Sequence, residues 1–188
     1  QTKSTDTEFT LTDEEKKFLK DLAFKSIKYG LTYHSFPKVD IPDWPGLHTN
    51  CGVFVTINKR GKLRGCIGIF RQDRPLWQNV MEMAQSAAFS DPRFPPLSFD
   101  ELNEIDIEIS VLTPLKKINS IDEIQLGKHG IYIKKGMNSG TFLPQVATDT
   151  GWTLEEFLGH CARDKAGIGY YGWKDPDAEI YIYEAIVF

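Results

Sequence analysis

The octapeptide IDIEISVL, Ile105 to Leu112, alternates apolar and polar residues, and no other stretch narrows the possible folds as much. Strand side chains point to opposite faces in turn, so Ile105, Ile107, Ile109 and Val111 face a core while Asp106, Glu108 and Ser110 face water. A strand with one wet face belongs to an antiparallel sheet covered on one side. Pro114 follows and cannot extend a central ladder.

Two further strands, 52–57 and 62–67, flank Asn58-Lys59-Arg60-Gly61, a hairpin loop in which Gly61 can take positive φ. With Ile57 opposite Lys62, Cys51 lies diagonally from Cys66, roughly 7–8 Å away and too far for an undistorted disulfide. Short strands are expected over 130–133 and 141–147, joined by the turn-rich KKGMNSG, and a long aromatic one over 179–188. Thr12 and Glu15 form a capping box for a helix that carries Phe18, Leu19, Leu22, Ala23 and Ile27 on one face and stops at Gly30. A second helix opens at Pro75 and buries Leu76, Val80, Met83, Ala84 and Ala87. A third starts at Thr153, with Glu156 completing its capping box and Trp152 stapled onto Phe157, buries Leu154, Phe157, Leu158 and Cys161, and stops at Gly167. The proline-rich LTYHSFPKVDIPDWPG and SDPRFPPLS read as ordered loops. Strands in hairpins with few helices between them imply an α+β fold, a largely antiparallel sheet flanked by helices.

The chain has 188 residues, 41% of them apolar, enough for one packed domain with two subdomains over 8–188; the small polar QTKSTDT, 1–7, is expected to be a disordered or trimmed tail. A net charge of -4 without a run of Lys or Arg argues against nucleic acid as a partner, since phosphate binding needs a basic footprint. No apolar run has bilayer-spanning length, so no membrane partner is expected. Cys51, Cys66 and Cys161 are an odd set in a chain large enough to fold without staples, as for reduced thiols of a cytoplasmic protein.

Chemistry concentrates in LRGCIG, Leu63 to Gly68. Period-two geometry puts Arg64 and Cys66 on one face, and a guanidinium beside a thiol favours the nucleophilic thiolate. Glycine within a strand marks a bulge or a close approach, so amides near Gly65 and Gly68 can reach a substrate oxygen. The plainer alternative is a small buried Cys66, an Arg64 paired with a sheet carboxylate, and glycines that relieve crowding. Glu156 and His160, four apart, are either an exposed helix pair or a carboxylate orienting an imidazole base. Arg93 is a candidate substrate-binding cation, although SDPRFPP otherwise looks like a shaped loop. Neither His160-Cys161 nor His48 with Cys51 completes a tetrahedral metal set, and Gly136 to Gly140 lacks the lysine and helix of a phosphate loop.

GVFVTI, LRGCIG, DPRFPPL, EISVLTP, FLPQVA and W..EEFL.HC...KAG, in that order, resemble the AMMECR family, whose microbial members are component A of the AmmeMemoRadiSam set. The resemblance implies two unequal lobes with a cleft, the LRGCIG hallmark as functional site, and a radical SAM protein and a Memo-type protein as partners. It implies neither a reaction nor a cofactor. One departure is an insertion between Cys161 and Lys165-Ala166-Gly167. Two functions stay open. One is an enzyme or enzyme subunit using Cys66 and Arg64, with His160 and Glu156 as base, on a small anionic or electrophilic substrate. The other is a noncatalytic partner of the radical SAM and Memo-type proteins, docking through exposed aromatic loops.

Overall fold

The computed structural model describes residues 9–188, and the tail expected over 1–7 lies outside them. The elements are α1 (Asp13–Tyr33), α2 (Pro45–His48), β1 (Gly52–Lys59), β2 (Lys62–Ile69), α3 (Leu76–Phe89), β3 (Ile105–Leu112), β4 (Lys116–Lys117), β5 (Gly130–Lys135), β6 (Asn138–Phe142), α4 (Pro144–Thr150), α5 (Leu154–His160), β7 (Glu179–Tyr183) and β8 (Ala185–Val187). The chain forms two compact units, the first reaching Pro114 and including Ile186–Phe188, the second running from Leu115 to Ala185. Each is antiparallel sheet with helices, the α+β class its alternation requires.

The first unit holds a sheet of order β2-β1-β3-β8. Val53, Val55, Ile57, Ile107, Ile109 and Val111 project from one face onto Leu19, Ala23 and Ile27 of α1 and Leu76, Val80 and Ala84 of α3. The other face carries Phe54, Thr56, Cys66 and Glu108. Ser110, expected in water, is buried on it. The Thr12–Glu15 capping box forms as read, and the Glu15 carboxylate also accepts from the Gly46 amide at 2.6 Å. The helix does not stop at Gly30. It runs to Tyr33 and ends on His34, in the left-handed region at φ 53°. Gly30 is there because a Cβ would lie 2.8 Å from Gln85 and Phe89 of α3.

The hairpin is tighter than expected. Lys59 pairs with Lys62 across Arg60 and Gly61, at φ 50° and 79°, the two-residue loop that matches strand twist. The register then shifts, so that Asn58 pairs with Leu63 and Ile57 with Gly65. Cys51 consequently precedes β1, buried, rather than lying beside Cys66.

The second unit holds the order β4-β7-β5-β6. The strand expected over 141–147 ends at Phe142, because Pro144 sits in the first turn of α4, where its fixed φ and missing N–H suit a helix. The strand expected over 179–188 is two strands in different sheets, β7 and β8. Thr153 and Glu156 cap α5 as read, and Trp152 packs against the core that holds Phe157 while stacking on His160, ring centroids 4.0 Å apart. After His160 the helix widens into a π turn, Cys161–Lys165, closed by the Ala166 amide on the Cys161 carbonyl at 3.0 Å. An inserted residue is accommodated in this way without breaking a helix.

Candidate functional site

Arg64 is the extra residue at the register shift, with no partner on β1. A bulge re-aims its side chain and interrupts strict alternation, which corrects the placement of Arg64 beside Cys66. The guanidinium turns to Glu101, donating from Nε at 2.8 Å and Nη2 at 3.1 Å. Glu101 also accepts from Lys59 at 3.0 Å and from the Ser98 amide at 3.0 Å. These partners, Arg64 foremost, hold its carboxyl well below the ordinary range. Arg64 is 9% exposed, and its Nη1 is buried without a partner among the described residues. The carboxylate pairing of the plainer alternative is present, with its partner in a helical turn and not in the sheet.

Cys66 lies opposite Thr56. Its backbone groups point off the sheet edge: the amide donates to Asp91 Oδ2 at 3.0 Å, and the carbonyl accepts from Arg93 Nη2 at 3.5 Å. Asp91, its side chain 2% exposed, takes two bonds from the Arg93 guanidinium, at 3.1 and 2.8 Å. The Arg93 pair first, and then the Cys66 amide, hold the Asp91 carboxyl far below its usual range. Arg93 is thus clamped beside β2 while its side chain stays 56% exposed, and its own pKa is raised chiefly by Asp91 and also by the nearby Cys66. Phe94 lies between the cations, 5.9 Å from the Arg64 guanidinium and 5.5 Å from that of Arg93. The half-buried Cys66 sulfur is 3.2 Å from the Thr56 hydroxyl.

The two glycines answer to packing. A Cβ on Gly65 would lie 2.1 Å from the Ala87 carbonyl of α3, and one on Gly68 2.3 Å from the Phe54 ring. Cys51 and Cys161 are sealed in the two cores, where desolvation pushes each thiol up to about 12.

Glu156 and His160 belong to the second unit. The Glu156 carboxylate accepts the Thr153 amide at 3.0 Å, closing the helix start. The carboxylate bonded neighbour of His160 is instead Asp164, 3.6 Å from Nδ1, with Arg163 at 3.1 Å. Among the described residues no cluster of three or more His, Cys, Asp or Glu could hold a metal ion, and no helix is long and apolar enough to cross a membrane.

Sequence reasoning missed Thr56, Asp91 and Glu101. Ser98-Phe99-Asp100-Glu101 carries a visible capping-box spacing that would have fixed Glu101 in a helical turn, and the structure shows that box. Asp91 bonds locally to Arg93, two residues on, but its bond to the Cys66 amide, 25 residues away, has no local signal.

The AMMECR1 family profile matches residues 20–188. A protein of Methanopyrus kandleri is 44% identical over 188 residues, covering 95% of this chain and 89% of its own. One of Nanoarchaeum equitans is 40% identical over 179 residues, covering 90% and 97%. The crystal structure of an uncharacterized protein from Pyrococcus horikoshii, 35% identical, superposes with a TM-score of 0.82 over 95% of this chain and 93% of that one.

Proposed function

On the premise that this chain belongs to the AMMECR1 family, we propose that it is an enzyme or enzyme subunit acting on a small anionic substrate with an electrophilic centre. Cys66 supplies the thiol nucleophile and Arg93 holds the anionic group. The observation that carries this is the clamp. Asp91 fixes both the Cys66 backbone and the Arg93 guanidinium, while Arg93 stays largely exposed beside a half-buried sulfur. The clamp stabilises the Asp91 carboxylate, and it also gives a nucleophile and an anion-holding cation the fixed separation they need. Arg64, assigned to this role by strand periodicity, serves instead as the buried anchor that fixes the bulge and one side of Phe94.

The docking reading draws less support. Of its aromatic loops, 36–44 and 94–97, Leu97 is buried, Trp44 packs edge-on against Phe18 at 6.1 Å and Phe94 lies near two guanidiniums, while Phe36 is 46% exposed. Radical SAM and Memo-type partners enter this proposal on the family resemblance alone.

The test is selective alkylation. The Cys66 rate with iodoacetate divided by that with iodoacetamide should fall several-fold in Arg93→Gln and stay unchanged in Lys62→Gln. An equal ratio in wild type and Arg93→Gln would remove the anion-holding role.

A further inference from the structure

A hollow of about 520 Å³ lies in the first unit, between the C-terminal ends of α1 and α3 and away from the Cys66 sulfur. Its volume is within the range of small-molecule sites, and Phe36 and Phe89 give it aromatic walls. Its one titratable lining residue is His34.

Three observations share one polarity. The Gln85 side-chain amide is locked, its Nε2 donating to the Ser26 carbonyl at 3.0 Å and to the Ser35 carbonyl at 2.9 Å. Both N–H groups are therefore committed, and Oε1 is left as an acceptor with no partner among the described residues. Second, α1 and α3 both terminate on this hollow, and the last turn of neither carries Lys or Arg. Two negative dipole ends thus converge without neutralisation. Third, Gly30, another lining residue, permits the approach, since any side chain there would strike Gln85 and Phe89 at 2.8 Å. The result is a preformed, aromatic-walled space with acceptor groups at its polar end.

We propose that this hollow binds a small apolar amine, its aryl or alkyl body against Phe36 and Phe89 and its ammonium head toward Gln85 Oε1 and the two helix C-termini. The aromatic faces attract the same charge. The site is independent of the proposed chemistry at Cys66.

The test uses the full chain at pH 8 with three probes of one shape: 2-phenylethylammonium, 2-phenylethanol and 3-phenylpropionate. Amide NMR titrations should show saturable shifts at Gly30, His34 and Ser90, with the ammonium roughly three- to fivefold tighter than the alcohol and the carboxylate weakest. Ser90→Lys places a cation at the end of α3, where it favours the helix, so it should erase the ammonium preference without lowering Tm. Phe36→Ala, at an exposed ring, should weaken the ammonium and the alcohol together. The proposal is overturned if the alcohol binds as tightly as the ammonium, if Ser90→Lys keeps the preference, or if the shifts fall elsewhere.

Discussion

The hydroxyl of Thr56 lies 3.2 Å from the sulfur of Cys66, across the β1–β2 hairpin. Because the Cys66 amide and carbonyl point outward to Asp91 and Arg93, the two residues form a non-hydrogen-bonded pair, the antiparallel geometry that brings side chains closest. The sulfur therefore has a polar neighbour and an open side. Cys51 and Cys161 have no open side, and burial pushes both up to about 12. A thiol at that value carries roughly a thousandfold less thiolate near neutrality than an ordinary one. One thiol should react quickly with a disulfide reagent in the native protein and three in guanidinium. Cys66→Ala should reduce these to none and two. Fast native reaction of a second thiol would contradict the burial seen here.

Arg64 and Glu101 make a second prediction, about stability. Removing one partner of a buried ion pair strands the other charge, at a cost of roughly 3–5 kcal/mol. Glu101→Ala should reach that range in urea unfolding, since Arg64 is only 9% exposed and Lys59 loses a partner as well. The double variant Arg64→Met, Glu101→Leu should be milder than Glu101→Ala alone, because no unpaired charge stays buried. A double variant as unstable as the single one would show that packing, and not charge, sets the cost.

What could be read from the chain, and what could not, divides by range. IDIEISVL gave β3 to the residue, and Thr12 with Glu15 and Thr153 with Glu156 placed two helix starts, because alternation and capping act over two to four neighbours. Helix ends were less legible. Gly30 reads as a stop but answers to Gln85, 55 positions away, whose side chain would meet its Cβ. At the candidate site, period two put Arg64 beside Cys66, and one bulge undid it. Arg93 was named as a candidate cation, yet its placement beside Cys66 depends on Asp91 accepting from a backbone amide on another element. Such a bond leaves no trace in local pattern.

Gly65 and Gly61 should respond differently to alanine. At Gly65 the added carbon would lie 2.1 Å from a helix carbonyl, so α3 must move from the sheet. Overpacking of this kind costs about 1–3 kcal/mol or more. At Gly61 nothing lies within 4 Å, and only the φ of 79° opposes the change, at about 1 kcal/mol. Thermal unfolding should rank Gly65→Ala well below Gly61→Ala, with Cys66 alkylation altered only in the former. The reverse ranking would mean that α3 does not press on β2.

Acid should weaken the first unit through Asp91 and Glu101. Each carboxyl is held below its ordinary value, 3.8 for Asp and 4.5 for Glu, by a guanidinium partner first and by backbone amides as well. The unfolded chain therefore takes up these protons at a higher pH than the folded one. The stabilisation is complete above about pH 5 and declines as pH falls through 4.5 and 3.8 toward the lower folded values. Urea midpoints measured from pH 6 to pH 2.5 should drop steeply over the acid half of that range. Glu101→Gln and Asp91→Asn should each start lower at pH 6 and lose less on acidification, since neither amide takes up a proton. Equal acid slopes in wild type and both variants would assign the acid sensitivity to other carboxylates and dissolve the clamp as an electrostatic element.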